Sequence, residues 1–188
     1  MRGQARDYDH WAEVTGDSEW RWEQCLADFM RHEDHVLLDD GASSDPEQRD
    51  FHGHGGEWRV ERQRLNWEVL DDFANAAEQA GIPRTKDFNR GSNEGVAYFE
   101  VNQRAGWRWN TAKAFLRPTE GRPNLRVLTE AQVTRIVVED GRAAALELRY
   151  HGAPARAAVA GELVLSSGAI GSPQILQLSG IGPAALAQ

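Results

Sequence analysis

Only one cysteine, Cys25, occurs among the 188 residues, so no internal disulfide can form. That usage fits a reducing compartment. Long apolar runs are missing as well: nothing approaches the ~20 residues needed to cross a bilayer. With 27% charged residues and a mean hydropathy of −0.61, the composition is that of a water-soluble polypeptide. The N-terminal MRGQARDYDHW has no apolar stretch of the kind a signal peptide carries. Basic residues are outnumbered, 21 Lys and Arg against 29 Asp and Glu, for a formal net charge of −8. No basic stripe offsets that excess, which argues against nucleic-acid binding. Internal repeats and low-complexity tracts are absent. A chain of this length can bury one good core, or a core with a satellite.

Seven tryptophans are present. Trp11, Trp20 and Trp22 cluster early, and Trp107 and Trp109 flank Arg108. Core and interface packing accounts for them, since each indole buries a large area. The sharper alternative is an aromatic cage for a quaternary ammonium. Asp17 or Ser18 can cap a helix beginning near Glu19, with Trp22, Cys25, Leu26, Phe29 and Met30 forming its apolar stripe. Cys25 on that stripe reads as inert core. A second helix is expected over 66–80, burying Leu70, Phe73, Ala74 and Ala77, with Gly81 at C′ and Pro83 preventing continuation. Between them, 39–56 reads as a polar loop or subdomain junction, and EWRVER (57–62) as a strand with Trp58 and Val60 on one face. Arg59, Arg62 and Arg64, interspersed with Glu57 and Glu61, read as its solvated side. Residues 84–95 read as a polar loop, 96–103 as a strand and 111–116 as a short helix.

His32 and His35, in RHEDH, have the i, i+3 spacing of a helical ligand pair, but no third ligand accompanies them. A solvated helix end is the plainer reading. From Asn124 onward the texture is β: LRVLTE, VTRIVVED, AAALELRY and ARAAVA are strand candidates, with a turn at Glu139-Asp140-Gly141.

The densest signal is ELVLSSGAIGSPQILQLSGIG, Glu162 to Gly182. Leu163 to Leu165 is short enough for a buried strand, Ser166, Ser167 and Gly168 interrupt it, and Pro173 suits the first turn of a helix. Ile175, Leu176 and Leu178 then continue an apolar face. Strand, small-residue turn and helix together form the unit with which α/β proteins bring bare backbone against a nucleotide.

This segment closely resembles the second signature of the glucose–methanol–choline (GMC) oxidoreductases, FAD-dependent alcohol oxidases and dehydrogenases. Gly168, Ala169, Ser172, Pro173, Ile175, Leu176, Ser179, Gly180, Ile181 and Gly182 fill every specified place of the pattern. The likeness continues through DYDHWAEVTGDSEWRWEQCLADF, FHGHGG, GIPRTKDFN, GWRWNTAKAFL and RPNLRVLTEAQVTRIVVEDGRAAALEL, similar to choline-dehydrogenase-like members. Gly3 and Asp9 match the close of the family's first signature. The glycine-rich opening of that signature, G-x-G-x-x-G, is not in the chain. The resemblance implies an α/β fold: part of a Rossmann-like FAD-binding fold with a partial substrate-side α+β subdomain, incomplete at both ends. It implies three segments: 1–39 a helical part of the FAD module, 40–104 a substrate-side portion, and 105–188 a portion of the FAD sheet with the strand–turn–helix.

The same resemblance names the cofactor residues. Val133, in AQVTRI, matches the family valine whose main chain meets the adenine of FAD; the alternative is an ordinary strand valine. Ser167, Gly168 and Ala169 match the turn beside the FAD ribose and pyrophosphate; the alternative is a tight turn with no ligand. Arg108 aligns with a family arginine that usually precedes a Ser-Thr or Ser-Ala pair, but Asn110 stands where the serine would be, and a structural role is expected for it. His52 and His54 lie in a turn resembling the family's HG turn, and neither is the catalytic histidine by position. In the family that histidine and its His or Asn partner lie nearer the C-terminus, so no catalytic residue and no metal ligand is expected within 1–188. The implied function is that of a fragment of an FAD-dependent, choline-dehydrogenase-like enzyme. Such an enzyme passes hydride from a primary alcohol to flavin. The alternative is a non-catalytic truncated remnant or interaction module that binds no flavin, and a stand-alone nucleotide-binding domain is a third reading. The 188-residue chain by itself is expected to be colourless and inactive. A small-molecule alcohol is the implied partner, and the implied location is cytoplasmic or membrane-associated through an electron acceptor.

Overall fold

The computed structural model describes residues 1–38 and 47–184, and the fold mixes helix and strand. By contact the chain forms two compact units, Met1–Arg122 and Pro123–Gln188. The sequence-based division at 39/40 and 104/105 follows roles in a parent enzyme instead; its first boundary lies outside the described residues.

In the first unit, α1 (Ala5–Thr15) opens with a reciprocal pair between Gln4 and Asp7 and closes at Gly16 in the left-handed region, φ +71°. The sequence pattern does not announce this helix, because its apolar residues are few and only Ala12 is buried. Asp17 does cap, but it caps a single 3₁₀ turn, Ser18–Trp20, accepting the Glu19 N–H at 3.0 Å. The α-helix itself, α2 (Trp22–His32), starts after Arg21 and runs directly into β1 (Glu33–His35). A short turn, α3 (Gln48–Phe51), leads by a glycine-rich loop to β2 (Trp58–Arg62), which pairs parallel with β1. Next come α4 (Glu68–Gln79) and β3 (Glu100–Val101), the latter antiparallel to β2, then the hairpin β4 (Gln103–Arg104) and β5 (Trp107–Arg108). A single π-type turn at Ala112–Leu116 stands in place of the expected short helix.

The stop of α4 is the expected one. Gly81 (φ +90°) places the Ile82 N–H on the Ala77 carbonyl at 3.0 Å and its own N–H on Glu78, also at 3.0 Å. That is a Schellman closure. The buried face of α4 is narrower than expected: Ala74 and Ala77 are inside, but Leu70 and Phe73 are 40% and 69% exposed. Periodicity marks an apolar stripe without saying what covers it.

The second unit is a meander, β6 (Ala131–Glu139), β7 (Arg142–Tyr150) and β8 (Ala153–Ala158), followed by α5 (Gly168–Leu178), which packs on β6. Both hairpins turn on two residues with positive φ, Asp140-Gly141 (+49°, +75°) and His151-Gly152 (+48°, +81°), whose twist matches that of the strands. Three expectations fail here. LRVLTE and Leu163–Leu165 form no ladder, and Val164 is 82% exposed; β-propensity describes a segment, and a strand also needs a partner edge. Pro173 lies inside α5, since the helix begins five residues earlier at Gly168. With no N–H, Pro173 leaves the Ala169 carbonyl without its i+4 donor.

Candidate functional site

Val133, Ser167, Gly168 and Ala169 all fall in the second unit. The register of its two ladders settles which way the Val133 main chain points. Tyr150 and Ala153 flank a two-residue turn, so they exchange both main-chain hydrogen bonds. Leu148, two residues back, has the same orientation toward Ala155. Its partner on the other side, Val133, is therefore in a non-hydrogen-bonded pair and turns its N–H and C=O to the open edge of β6. Ile136 does the same: its N–H leaves the ladder for the Ser179 Oγ at 2.8 Å. Strict alternation would forbid both, because the two residues are three apart. The register shift between Val133 and Arg135 reconciles them, with Thr134 as the extra residue and its hydroxyl donating to the Glu147 carbonyl at 3.1 Å.

The strand-to-helix corner presents bare backbone. Ser167, Gly168 and Ala169 are exposed, and Gly168 sits at φ +85° with nothing within 4 Å of the place a Cβ would occupy. Glycine is needed there for the conformation, and the space beside it is open. The Ser167 N–H is taken by Ser172 Oγ at 3.0 Å, whereas the N–H groups of the first turn of α5 have no acceptor within the helix. An open β-edge with an unspent N–H and C=O suits an adenine edge, and a helix N-terminus reached through a left-handed glycine suits a pyrophosphate. The residues present fit an adenine dinucleotide.

The first unit holds a buried charged network that the sequence reading missed. His52 is 2% exposed and donates from both ring nitrogens, to Glu33 Oε2 at 2.9 Å and Asp87 Oδ2 at 2.7 Å. Glu33 Oε2 also accepts the Gly53 N–H at 3.0 Å and pairs with Arg2 at 2.7 Å, while Arg2 further donates to the Phe51 carbonyl. Burial opposes a charge on His52, but the hydrogen bonds to Asp87 and Glu33 and their charges outweigh it, raising its pKa to about 9. Burial likewise opposes ionisation of Asp87; the hydrogen bond from His52, the Asn89 N–H and the neighbouring cations prevail and lower it to about 2. Glu33 is lowered too, against its own burial, by the His52 hydrogen bond and the Arg2 charge.

His35, expected at a solvated helix end, is fully buried in β1 and stacks on His52 with ring centroids 4.0 Å apart. Its Nδ1 accepts the Leu37 N–H at 3.3 Å, which leaves Nε2–H to donate to Glu100 at 3.0 Å. It is thus the neutral tautomer against a charged neighbour. Ligand atoms of His35, His52 and Glu100 lie within 4.8 Å of one another. Yet the ring nitrogens of both histidines are already committed to protein partners, so the cluster offers a metal no free lone pair from an imidazole. Arg59 and Glu61, expected on a solvated face, are buried at 9% and 8% exposure: Arg59 pairs with Asp34 at 3.0 Å and Glu61 at 3.3 Å. Two features could have flagged this region in the sequence. One is a histidine inside FHGHGG, and the other is an acidic pair inside HEDH.

Several aromatic residues of this unit pair with one another. Trp11 meets Trp20 edge-on, Trp22 leans on Tyr8, and Trp58 stacks on Phe115 at 5.8 Å. Arg104, and not Arg108, lies over the Trp109 ring at 4.6 Å. The Cys25 thiol sits 3.5 Å from the Trp20 carbonyl, and burial pushes its pKa up, away from the reactive thiolate.

The chain is similar in sequence and fold to known proteins. The chain is 38% identical over 184 residues to mitochondrial choline dehydrogenase of Mus musculus, covering 98% of this chain and 29% of that one. It is 34% identical over 188 residues to alcohol dehydrogenase [acceptor] of Pseudomonas putida, covering 98% of this chain and 32% of the relative. Among solved structures, pyridoxine 4-oxidase from Mesorbium loti superposes with a TM-score of 0.83 at 33% identity, covering 100% of this chain and 35% of its own. An FAD-dependent oxidoreductase from Chaetomium thermophilum gives 0.82 at 26% identity, covering 98% of this chain and 33% of its own. The chain therefore spans about a third of the length of these relatives. Residues 1–186 match the family model described as GMC oxidoreductase, and the chain belongs to that family.

Proposed function

We propose that this chain is part of an FAD-dependent alcohol oxidoreductase of the choline-dehydrogenase kind. The observation that carries the reading is main chain left outside the ladder at the Val133 edge of β6 and exposed at the Ser167–Ala169 corner of the same unit, in a member of the GMC family. Val133 would present its N–H and C=O to the adenine while its side chain packs against the ring. Gly168 and Ala169 would approach the ribose and pyrophosphate, where the partial positive charge at the start of α5 offsets the phosphates. A flavin bound there would supply the hydride acceptor for oxidation of the alcohol.

Residues of this chain would hold and orient the cofactor, and the group that takes the hydroxyl proton would come from elsewhere in the enzyme. Residues 1–39 and 105–188 would belong to the FAD module and 40–104 to the substrate side. The unladdered Leu163–Leu165 run, with Val164 exposed, has the composition of a buried strand, and we assign it to the FAD sheet of the full-length enzyme. A primary alcohol is the proposed substrate, with choline first. The proposed location is the cytoplasm, or a membrane reached through the electron acceptor; no helix of the described residues is long and apolar enough to cross a membrane.

The test is an FAD titration of the 188-residue chain beside a version extended at both ends to the length of its relatives. The extended protein should carry yellow flavin that choline bleaches anaerobically, and the short chain should stay colourless. Flavin that stays oxidised with every primary alcohol tried would overturn the activity. Stoichiometric flavin on the short chain would overturn the claim that it is incomplete as a cofactor site.

A further inference from the structure

The first unit has a second feature with chemistry of its own. The end of β2, residues 63–66 that lead towards α4, and residues 84–86 and 96–100 line an open cavity of about 350 Å³. Its lining includes Arg62, Arg84 and Lys86 but only one carboxylate, Glu100, on a chain whose formal net charge is −8. The local sign is the reverse of the global one. Arg84 shares its guanidinium with Glu78 at 3.3 Å and with Asn75. Arg62 and Lys86 have no ion pair with any described residue. Glu100 keeps its negative charge, but it accepts from His35 at 3.0 Å and forms no ion pair with Arg62 or Lys86 among the described residues, so the lining stays positive by three charges to one.

Tyr98 and Phe99 supply an aromatic wall. Phe99 is 53% exposed and rests on Phe88, with ring centroids 5.0 Å apart, so one face stays open. The Tyr98 hydroxyl donates to Asp71 at 2.7 Å, which fixes its ring. The walls are tied by main chain: the Thr85 N–H bonds the Val96 carbonyl at 3.1 Å and the Val96 N–H bonds Pro83 at 2.9 Å. Gly95 permits that approach, because a Cβ there would stand 2.7 Å from the Pro83 oxygen. The cavity is therefore preformed, and its volume is at the small end of the range for ligand sites.

We propose that this cavity binds a small aromatic carboxylate, the ring against Tyr98 and Phe99 and the carboxylate on Arg62 and Lys86. An aromatic body buries apolar surface that a bare anion lacks. The two cations that line the cavity supply charge-assisted hydrogen bonds that a neutral ring cannot use. The same cations repel a quaternary ammonium. The site makes no use of the flavin-contacting residues, so its presence or absence is decided independently of the cofactor.

The experiment is an NMR titration of the ¹⁵N-labelled 188-residue chain with benzoate, acetate, benzyl alcohol and choline. Benzoate should shift the Lys86, Tyr98 and Phe99 amides saturably, at least about tenfold more tightly than acetate or benzyl alcohol, and choline should shift none of them. Raising salt from roughly 50 to 500 mM should weaken benzoate several-fold. The Arg62→Ala/Lys86→Ala double variant removes two exposed side chains and should keep the parent spectrum while losing about tenfold in benzoate affinity. Equal affinity for acetate and benzoate, saturable choline binding at these amides, or full benzoate affinity in the double variant would each overturn the proposal.

Discussion

Replacing His52 by glutamine should remove the pH dependence of stability of the first unit between pH 6.5 and 9. The folded His52 pKa is raised from 6.5 to about 9. A raised pKa means that its stabilisation is complete below pH 6.5 and is lost as pH climbs through 9. Across that window the folded state holds a proton that the unfolded state has released, so stability should fall by ~1.4 kcal/mol per pH unit, roughly 3 kcal/mol in all. Asp87 and Glu33, both lowered, stay ionised throughout and do not contribute to the slope. The interactions that raise His52 are the same ones that help to lower Asp87 and Glu33. The shared part is one interaction and is counted once.

The assay is urea unfolding followed by tryptophan fluorescence at pH 6.0, 7.5 and 9.0. All seven tryptophans lie within 1–122, so the signal reports the first unit. His52→Gln keeps an amide for one carboxylate but leaves Glu33 and Asp87 without the cation between them. It should be less stable at pH 6.0 by roughly 3–5 kcal/mol, with the gap closing by pH 9. If His52→Gln fails to fold, the parent profile alone decides. A flat parent profile from 6.5 to 9, or the same slope in the variant, would refute the charged sandwich.

Two further perturbations follow from the glycine loop and from the α5 strut. Gly56→Ala would set a Cβ 2.2 Å from the His32 carbonyl carbon and 2.7 Å from the Glu33 N, both rigid backbone, so the urea midpoint should drop by the equivalent of about 3 kcal/mol or more; an unchanged midpoint would show that the loop does not pack there. Ser179→Ala removes the acceptor of the buried Ile136 N–H, an expected loss of about 1–3 kcal/mol. It should be seen as faster hydrogen exchange at the Ile136 amide, and unchanged exchange would rule out the strut.

Much of the second unit could be read in advance. Asp140-Gly141 is a turn because two successive positive φ angles favour residues of that kind, and the β-branched run VTRIVVED and the apolar-rich run AAALELRY on either side of it read as strands. The ten-position pattern from Gly168 to Gly182 placed the family, and the wider resemblance, through AQVTRI and the Ser167 turn, named the candidate cofactor residues. It did not reveal that Val133 and Ile136 both face the open edge, since that depends on one extra residue, Thr134, in a ladder between two strands.

Local chemistry alone settled where helices stop, where hairpins turn and which signature the α5 segment carries, because caps, turns and short motifs depend on a few neighbouring residues. Tertiary structure alone decided that Arg59, Glu61, His35 and His52 are buried. Their partners lie up to 65 residues away, as with His35 and Glu100, and no local pattern carries the desolvation that such pairing offsets. It also decided that Leu163–Leu165 lacks a ladder, for a strand is completed by an edge its own residues cannot supply.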